Sequence, residues 1–232
     1  MTKYAPIIAL DGPSGSGKGV VANFLSTQYE FHLLDSGALY RLVGIAARRT
    51  GIALENSTLD EAVLGEIART LYVSFTSTNN PEDPLEIMLS GEQVTHEVRT
   101  DEAGVDASRV ASLPAVRDGL LELQRSFHRS PGLVADGRDM GTVIFPEADV
   151  KIYLTASAKT RAERRYNQLI RKGISVSMPD LFQSIQARDE RDMNRAVSPL
   201  KPAEDAFVID STDMDIEDVL RNVEAIVTEK LG

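Results

Sequence analysis

A glycine-rich stretch between an apolar strand and a helix constrains the fold of this chain more than any other feature. Residues 6–10 form a continuous apolar run that ends at Asp11, which is typical of a strand buried on both faces. The run Gly12-Pro13-Ser14-Gly15-Ser16-Gly17-Lys18 follows, and then a helical pattern from about residue 17 to residue 28. The stretch fits the pattern Gly-x4-Gly-Lys in the strand–loop–helix context that a phosphate-binding loop requires. The alternative is a glycine-rich turn with an incidental lysine.

The chemistry of such a loop is the binding of a nucleoside triphosphate. Its glycines let the backbone N–H groups wrap a phosphate, the helix N-terminus adds the positive end of its dipole, and Lys18 reaches the β and γ phosphates. Gly19 and Val20 depart from the pattern, because neither supplies the hydroxyl that touches Mg²⁺ in many such loops. We therefore expect ATP oxygens and water to hold Mg²⁺, with Ser16 or Asp136 as candidate protein contacts and no direct ligand assigned.

Strand and helix patterns alternate along most of the remaining chain. Further strands are predicted at residues 31–34, 132–136, 150–155 and 206–210. Helices are predicted at residues 37–49, 113–128, 158–172, 179–194 and 215–230. This alternation predicts an α/β protein with a parallel five-stranded sheet flanked by helices.

The segment 71–98 breaks this alternation. Apolar residues alternate with period two at 71–75, 85–89 and 93–94, and a polar, proline-containing turn region about residues 80–84 joins the first two runs. Such patterns are typical of hairpins. The segment therefore predicts a small antiparallel β insertion in the α/β core.

Composition narrows the class of protein. A length of 232 residues, with 42% hydrophobic and 26% charged residues, favours one globular core carrying an insertion or a lid. With no Cys and three scattered His, we expect no disulfide, no thiolate or zinc site and no Cys nucleophile. The net charge of −10 disfavours nucleic acid and anionic membrane as partners, so an anion site needs a local concentration of Arg or Lys. We expect no membrane-spanning or targeting segment, and we expect a cytoplasmic monomer.

The end of the second predicted strand carries a second candidate anion site. Ser36 precedes the helix predicted at 37–49, and we expect its hydroxyl to be the N-cap. Arg41 lies about one turn into that helix, so a helix N-terminus and a guanidinium come together. The alternative is a routine cap with a surface arginine.

The segment after the strand predicted at 132–136 supplies a third set of candidates. In open parallel sheets, ligands bind outside the carboxyl ends of the strands. There, Asp136 is a candidate to position hydrated Mg²⁺, Arg138 to clamp a phosphate, and Asp139 to accept hydrogen bonds from a substrate. The alternative is an ordinary Asp-Gly turn.

Two groups of basic residues recur at helical spacing. They are Arg161, Arg164 and Arg165, and then Arg188 and Arg195 with Asp192 on the same face and Arg191 at its edge. Solvated faces with ion pairs are the alternative for both groups. Together with the phosphate loop and the second anion site, they indicate phosphoryl transfer from a triphosphate to a phosphorylated acceptor.

Four segments, taken in order, resemble bacterial cytidylate kinases, and the resemblance covers essentially the whole chain. They are Gly-Pro-Ser-Gly-Ser-Gly-Lys-Gly, Leu-Leu-Asp-Ser-Gly-Ala-Leu-Tyr-Arg, Ala-Asp-Gly-Arg-Asp-Met-Gly-Thr-Val and Arg-Asp-Glu-Arg-Asp-Met-Asn-Arg. The resemblance implies a P-loop nucleoside monophosphate kinase fold with a β insertion and a helical lid. It also implies transfer of the γ-phosphoryl group of ATP to CMP or dCMP with Mg²⁺.

The resemblance also implies a role for individual residues. The residues it places at ATP are Gly12, Pro13, Ser14, Gly15, Ser16, Gly17, Lys18, Gly19 and Val20, with Arg161 and Arg164 in the lid. Those at the CMP phosphate are Ser36, Arg41, Arg138 and Arg195, those at its sugar are Arg188 and Asp192, and those at its base are Ser108, Arg117 and Asp139. The expected catalytic residues are Lys18, Asp136, Arg138, Arg188 and Arg195.

A single kinase domain with three parts is expected. The core comprises about 1–35, 110–157 and 196–232, the monophosphate-binding region with the β insertion about 36–109, and the lid about 158–195. The lid and the monophosphate-binding region should close to exclude water.

Two other functions are open at this point. One is a different P-loop enzyme, such as a GTPase or another small-acceptor kinase, although the chain has no guanine-reading Asn-Lys-x-Asp motif. The other is a regulatory module that binds nucleotide without turnover, which an intact Lys18 and both arginine groups disfavour.

Overall fold

The computed structural model describes residues 4–55, 58–77, 85–171 and 173–232. The first elements in chain order are β1 (Ile7–Asp11), α1 (Lys18–Gln28), β2 (His32–Asp35), α2 (Ser36–Arg49), α3 (Glu61–Arg69), β3 (Val73–Ser77), β4 (Leu85–Leu89), β5 (Glu92–Gln93), α4 (Thr95–Val98) and α5 (Asp101–Val110). They are followed by α6 (Pro114–Arg125), β6 (Leu133–Gly137), a π-helical turn (Met140–Ile144), β7 (Val150–Thr155), α7 (Ala158–Arg171), α8 (Met178–Asn194), β8 (Phe207–Asp210) and α9 (Ile216–Leu231).

The chain divides into two compact units. The first unit comprises Met1–Asp35 and Arg125–Gly232, and the second comprises Ser36–Gln124. Residues 110–124, which we expected in the core, fall within the second unit. The reason is close packing of α6 on α3, where a Cβ at Gly119 would lie 2.8 Å from the carbonyl oxygen of Gly65. The assignment of residues 158–195 to a lid stays a prediction.

The first unit contains the predicted five-stranded parallel sheet. Its strand order is β2-β6-β1-β7-β8, and every neighbouring pair is parallel. Because the strands are parallel, their carboxyl ends lie at one edge of the sheet, and the register pairs Asp11 with Gly137 and Asp35 with Asp136 there. The α/β architecture predicted from the alternating pattern is confirmed.

The core of the first unit lies between this sheet and two helices. All five residues of β1 are buried, as the continuous apolar run predicts. Helix α9 presents Val219, Val223 and Val227 to the core at a spacing of four residues, so one stripe of the helix is apolar. Helix α1 contributes Val21 and Leu25 to the same core. The phosphate-loop segment thus runs between a fully buried strand and a well-packed helix.

The second unit contains the small antiparallel sheet that the period-two pattern predicts. Strand β4 pairs antiparallel with β3 and with β5. The turn region predicted about residues 80–84 lies outside the described residues. The sheet accompanies helices α2 to α5, of which α2 packs against α5.

Helices α3, α4 and α5 were not predicted from the sequence. Two of them begin with ordinary N-cap hydrogen bonds, since Asp60 accepts from the N–H of Val63 and Thr100 accepts from the N–H of Ala103. A search for Asp or Thr caps would have found these two starts. No helix in the described ranges is long and apolar enough to cross a bilayer.

Candidate functional site

The phosphate loop leads from the end of β1 into the first turn of α1, as predicted. Gly12 has φ +147°, and a Cβ there would lie 2.0 Å from the carbonyl oxygen of Leu154, so only glycine fits. Gly17 has φ +99° and precedes α1 directly. The hydroxyl of Ser16 donates to the carbonyl of Pro13 (3.0 Å), which fixes the loop from inside.

Lys18 is a buried cation at the N-terminus of α1. Its side chain is 5% exposed, and Nζ donates to the carbonyl of Pro13 at 2.9 Å and lies 4.0 Å from Oδ1 of Asp136. Burial lowers the pKa of Lys18, and nearby Arg138 lowers it further, whereas Asp136 and Asp11 oppose both effects. A buried ammonium beside a helix N-terminus is well placed to meet the phosphates of an anionic ligand.

Asp136 lies at the end of β6, next to the phosphate loop. Burial raises the pKa of its carboxyl group, the charge of Lys18 opposes that rise, and Asp35 at the end of β2 adds to it. A Cβ at Gly19 would lie 4.0 Å from Oδ2 of Asp136, so this carboxylate also borders the start of α1. The structure thus brings Asp136 next to the phosphate loop, and its predicted role toward Mg²⁺ stays a prediction.

Asp11 is a buried carboxylate that the sequence analysis did not select. It ends β1 immediately before Gly12, and its two oxygens accept hydrogen bonds from the N–H groups of Met140 and Gly141, both at 2.8 Å. Burial raises the pKa of Asp11 to about 6, although these two hydrogen bonds oppose the rise. The sequence offered one signal for this buried site: Asp11 is a charged residue at the end of an otherwise apolar strand.

Three arginines surround Asp192 in the first unit. Arg138 donates from Nε to Oδ2 of Asp192 at 3.1 Å. Burial alone would raise the pKa of Asp192, but the charges of Arg138, Arg188 and Arg195 outweigh it and hold the pKa below its ordinary value. The predicted grouping of these side chains is thus present, with more positive charge than Asp192 can neutralise.

One detail of that grouping differs from the prediction. Arg195 is not on the face of α8, because the helix ends at Asn194 and the backbone of Arg195 is extended, with φ −64° and ψ 142°. Its guanidinium lies 3.9 Å from Oδ1 of Asp139, and both side chains are nearly buried. Arg195 therefore reaches the group from the helix end and not by the i, i+7 spacing that we expected.

The first arginine group, on α7, makes contacts within the first unit. Arg161 is 3% exposed and donates to the carbonyl of Ser14 and, through both terminal nitrogens, to Asp189. Arg164 donates to the hydroxyl and carbonyl of Ser211. The alternative of a solvated face does not describe Arg161, which contacts the phosphate loop directly.

The second unit holds the remaining predicted residues, all on helices. Ser36 is the first residue of α2, not its N-cap, and its buried hydroxyl donates to Oε1 of Gln124 at 2.7 Å. Arg41 donates to the carbonyl of Val98. The capping role expected of the Ser36 hydroxyl is therefore wrong, because the chain passes from β2 into α2 without an intervening residue.

Arg117 and Ser108 are buried in the same unit, at 5% and 6% exposure. Arg117 donates to the carbonyl of Ala111 (3.3 Å), and its guanidinium lies 5.6 Å from the ring centroid of Tyr40. On sequence grounds alone Arg117 would have been interpreted as a surface charge. Its burial rules out that interpretation.

The described residues contain no group of three His, Asp or Glu side chains able to hold a metal ion. Asp136 is the acidic side chain that borders both Lys18 and the start of α1. A single carboxylate with ligand phosphates is a usual arrangement for Mg²⁺, which keeps much of its water shell.

The fold and the site together define a class. A glycine loop between a buried strand and a helix, a buried lysine, and arginines at the carboxyl edge of a parallel sheet are the parts of a P-loop phosphotransferase.

Comparison with known proteins specifies the family. The family model for cytidylate kinase matches residues 8–229. Cytidylate kinase from Pseudomonas savastanoi pv. phaseolicola is 56% identical over 219 residues, which are 94% of this chain and 93% of the relative. Cytidylate kinase from Photobacterium profundum is 51% identical over all of this chain and 98% of the relative. The chain belongs to the cytidylate kinase family, which confirms the resemblance found in its sequence.

The balance of charge around Asp192 gives a testable prediction. Asp192→Asn leaves three arginines around a neutral side chain, so unfolding free energy at pH 7 should fall by about 2–4 kcal/mol. Because its pKa is depressed in the folded protein, the stabilisation from Asp192 is present above its unfolded pKa, near 4, and is lost as pH falls below that value. The difference in melting temperature between the two proteins should therefore stay constant from pH 7 to about pH 5 and shrink as the pH falls below about 4.

Asp205→Asn is the matched control. Asp205 pairs with Lys151 at 2.9 Å but its side chain is 66% exposed, so the pair should contribute less than about 1 kcal/mol. Equal destabilisation by the two substitutions would contradict the special position of Asp192.

Proposed function

We propose that this protein transfers the γ-phosphoryl group of ATP to CMP or dCMP, giving ADP and CDP or dCDP. The observation that carries the proposal is the buried Lys18 of the phosphate loop, in a chain whose relatives are cytidylate kinases over nearly their whole length. That the protein works as a cytoplasmic monomer, without nucleic-acid or membrane partners, stays a prediction.

The donor nucleotide is held by the phosphate loop. Residues 12–20 bind the ATP phosphates through backbone N–H groups, and Lys18 neutralises charge that develops on the transferred group. Arg161 supports the loop through the carbonyl of Ser14. With Arg164 it belongs to the proposed lid.

The acceptor nucleotide is held by three sets of residues. The phosphate of CMP meets Ser36, Arg41, Arg138 and Arg195, the sugar meets Arg188 and Asp192, and the base meets Ser108, Arg117 and Asp139. The burial of Arg117, Ser108 and Asp139 supports a role in recognising the base, since buried polar groups discriminate strongly between ligands. The phosphate of CMP is already an anionic nucleophile near neutral pH, so no general base is required.

The residues present fit Mg²⁺ bound chiefly through ATP. Gly19 and Val20 carry no hydroxyl, so Asp136 would orient the water shell of the ion. The Ser16 hydroxyl donates its hydrogen to the carbonyl of Pro13 and keeps its lone pairs as a second candidate contact. Bound there, Mg²⁺ would neutralise charge on the β and γ phosphates. Lys18, Arg138, Arg188 and Arg195 supply the rest of the positive charge.

ADP release in a coupled assay tests the function directly. ATP is supplied with CMP, dCMP, UMP, AMP or GMP in turn, and with no acceptor. The proposal expects fast release with CMP and dCMP and slow release without an acceptor. Fast ADP release with AMP or GMP would show that the protein phosphorylates a different acceptor. If no acceptor increased ADP release, a module that binds nucleotide without turnover would be favoured.

Lys18→Ala should reduce kcat by more than tenfold. The substitution removes a charge that stabilises the transferring phosphoryl group, a contribution typically worth several kcal/mol. Lys159→Ala, which changes an 83% exposed lysine, is the matched control and should leave kcat unchanged. A variant at position 18 that folds and keeps more than about a tenth of the wild-type kcat would contradict the role of Lys18.

Val20→Thr should change kcat by less than about twofold. Val20 is 54% exposed near the start of α1, and a hydroxyl there adds a contact to Mg²⁺ that the ATP phosphates and Asp136 make unnecessary. Val20→Ala controls for loss of the apolar side chain. A large rise in kcat for Val20→Thr alone would show that a missing ligand had been limiting.

Asp139→Asn should lower activity on CMP and narrow the CMP/UMP ratio of kcat/KM. A carboxylate accepts from the amino group of cytosine but faces O4 of uracil, at a cost of roughly 1–3 kcal/mol, or about 5–150-fold. An Asn amide can offer either a donor or an acceptor. The kinetics of both substrates are measured for both proteins.

The alternative is that Asp139 only braces an arginine. The structure places it beside Arg195, while the carboxylate bonded to Arg138 is that of Asp192. If bracing were its whole function, the two substrates would lose activity equally and the CMP/UMP ratio would stay constant. An unchanged ratio would therefore remove Asp139 from base recognition.

A further inference from the structure

Asp11 joins two segments of the first unit that the proposed reaction uses. It directly precedes Gly12 of the phosphate loop and is 4% exposed. Its Oδ1 accepts from the N–H of Met140 and its Oδ2 from the N–H of Gly141. Each carboxylate oxygen is thus bonded to the backbone of the segment that follows β6.

The two N–H groups belong to the first residues of the π-helical turn. The first N–H groups of a helix have no partner within the helix, so another group must satisfy them. At the same turn, the carbonyl of Asp139 accepts from Val143 and Ile144, which fixes the backbone of Asp139 to the turn. Asp11 therefore holds, from a different strand, the turn whose preceding residues are Arg138 and Asp139.

A carboxylate suits this position better than an amide. Two adjacent N–H donors point at Asp11, and only a carboxylate offers an acceptor oxygen to each of them. If an asparagine replaced Asp11, its amide NH₂ would face one of the donors and leave a buried N–H without an acceptor. The site is also close-packed, since a Cβ at Gly141 would lie 3.1 Å from the side chain of Lys151 and 3.5 Å from Oδ2 of Asp11.

We propose that Asp11 is a positioning residue for the acceptor nucleotide, acting through the turn that follows Arg138 and Asp139. The inference rests on the proposed function, because it assigns those two residues to CMP. The competing role is support of the phosphate loop, since Asp11 adjoins Gly12 and its charge attracts Lys18. The two roles differ in which nucleotide loses affinity when Asp11 changes.

Asp11→Asn is the decisive variant, and Asp149→Asn is its matched control. Asp149 also accepts a backbone hydrogen bond, from the N–H of Ile7 at 2.7 Å, and Ile7 lies at the opposite end of β1 from Asp11. Affinities for CMP alone and for Mg²⁺ with a non-hydrolysable ATP analogue are measured by calorimetry, and steady-state kinetics give the KM of each substrate.

We expect Asp11→Asn to weaken CMP binding by about tenfold or more and to raise the KM for CMP similarly. Affinity for the ATP analogue should stay within about twofold of wild type. Asp149→Asn should leave both affinities unchanged even if it lowers the melting temperature. An equal loss for both nucleotides, a loss for the ATP analogue alone, or no loss for CMP would overturn the inference.

A second variant decides the matter if Asp11→Asn does not fold. Asp11→Ser leaves a single acceptor oxygen for the two backbone N–H groups of Met140 and Gly141, and we expect the same selective loss of CMP affinity; unchanged CMP affinity would overturn the proposal. Wild type is measured first. If the wild-type protein neither binds CMP nor phosphorylates it, the proposed function is wrong. If CMP binding is normal in the wild type and in both variants, only the role of Asp11 is overturned.

Discussion

The parallel pairing of β1 with β6 is the constraint on which the rest of the site depends. Their register places Asp11 opposite Gly137, so the phosphate loop and the segment carrying Arg138 and Asp139 leave the sheet side by side. That adjacency lets Lys18 approach Asp136 and lets Asp11 bond the π-helical turn. Shifting this register by one residue would separate all three contacts, since alternate residues face opposite sides of a sheet.

Buried side chains of opposite charge lie beside one another near the paired strands β1 and β6. The chain carries a net charge of −10, yet three arginines surround Asp192, and Lys18 interacts electrostatically with Asp136 and Arg138. Each buried carboxylate reduces repulsion between cations that would otherwise destabilise the fold. Because positive charge remains in excess around Asp192, phosphates can complete the neutralisation, and transfer then needs little beyond positioning.

The sequence predicted what local patterns determine. The apolar run before Gly12 and the alternation of strands and helices were sufficient for the parallel sheet. Contacts between distant segments were not predictable from local patterns. Asp11 accepts hydrogen bonds from residues about 130 positions away, and α6 packs on α3. Arg195 was placed by helical spacing, but it lies beyond the end of α8. Helices α3 and α5 were missed although Asp60 and Thr100 were recognisable as caps.

The central claim is that the buried cations of the first unit bind the phosphates of both ATP and CMP. Calorimetric titration with adenosine and cytidine joined through five phosphates tests it most directly. We expect a Kd about 100-fold or more below that for ATP, because one molecule occupies both positions without a second loss of translational freedom. A Kd no lower than that for ATP alone would contradict it.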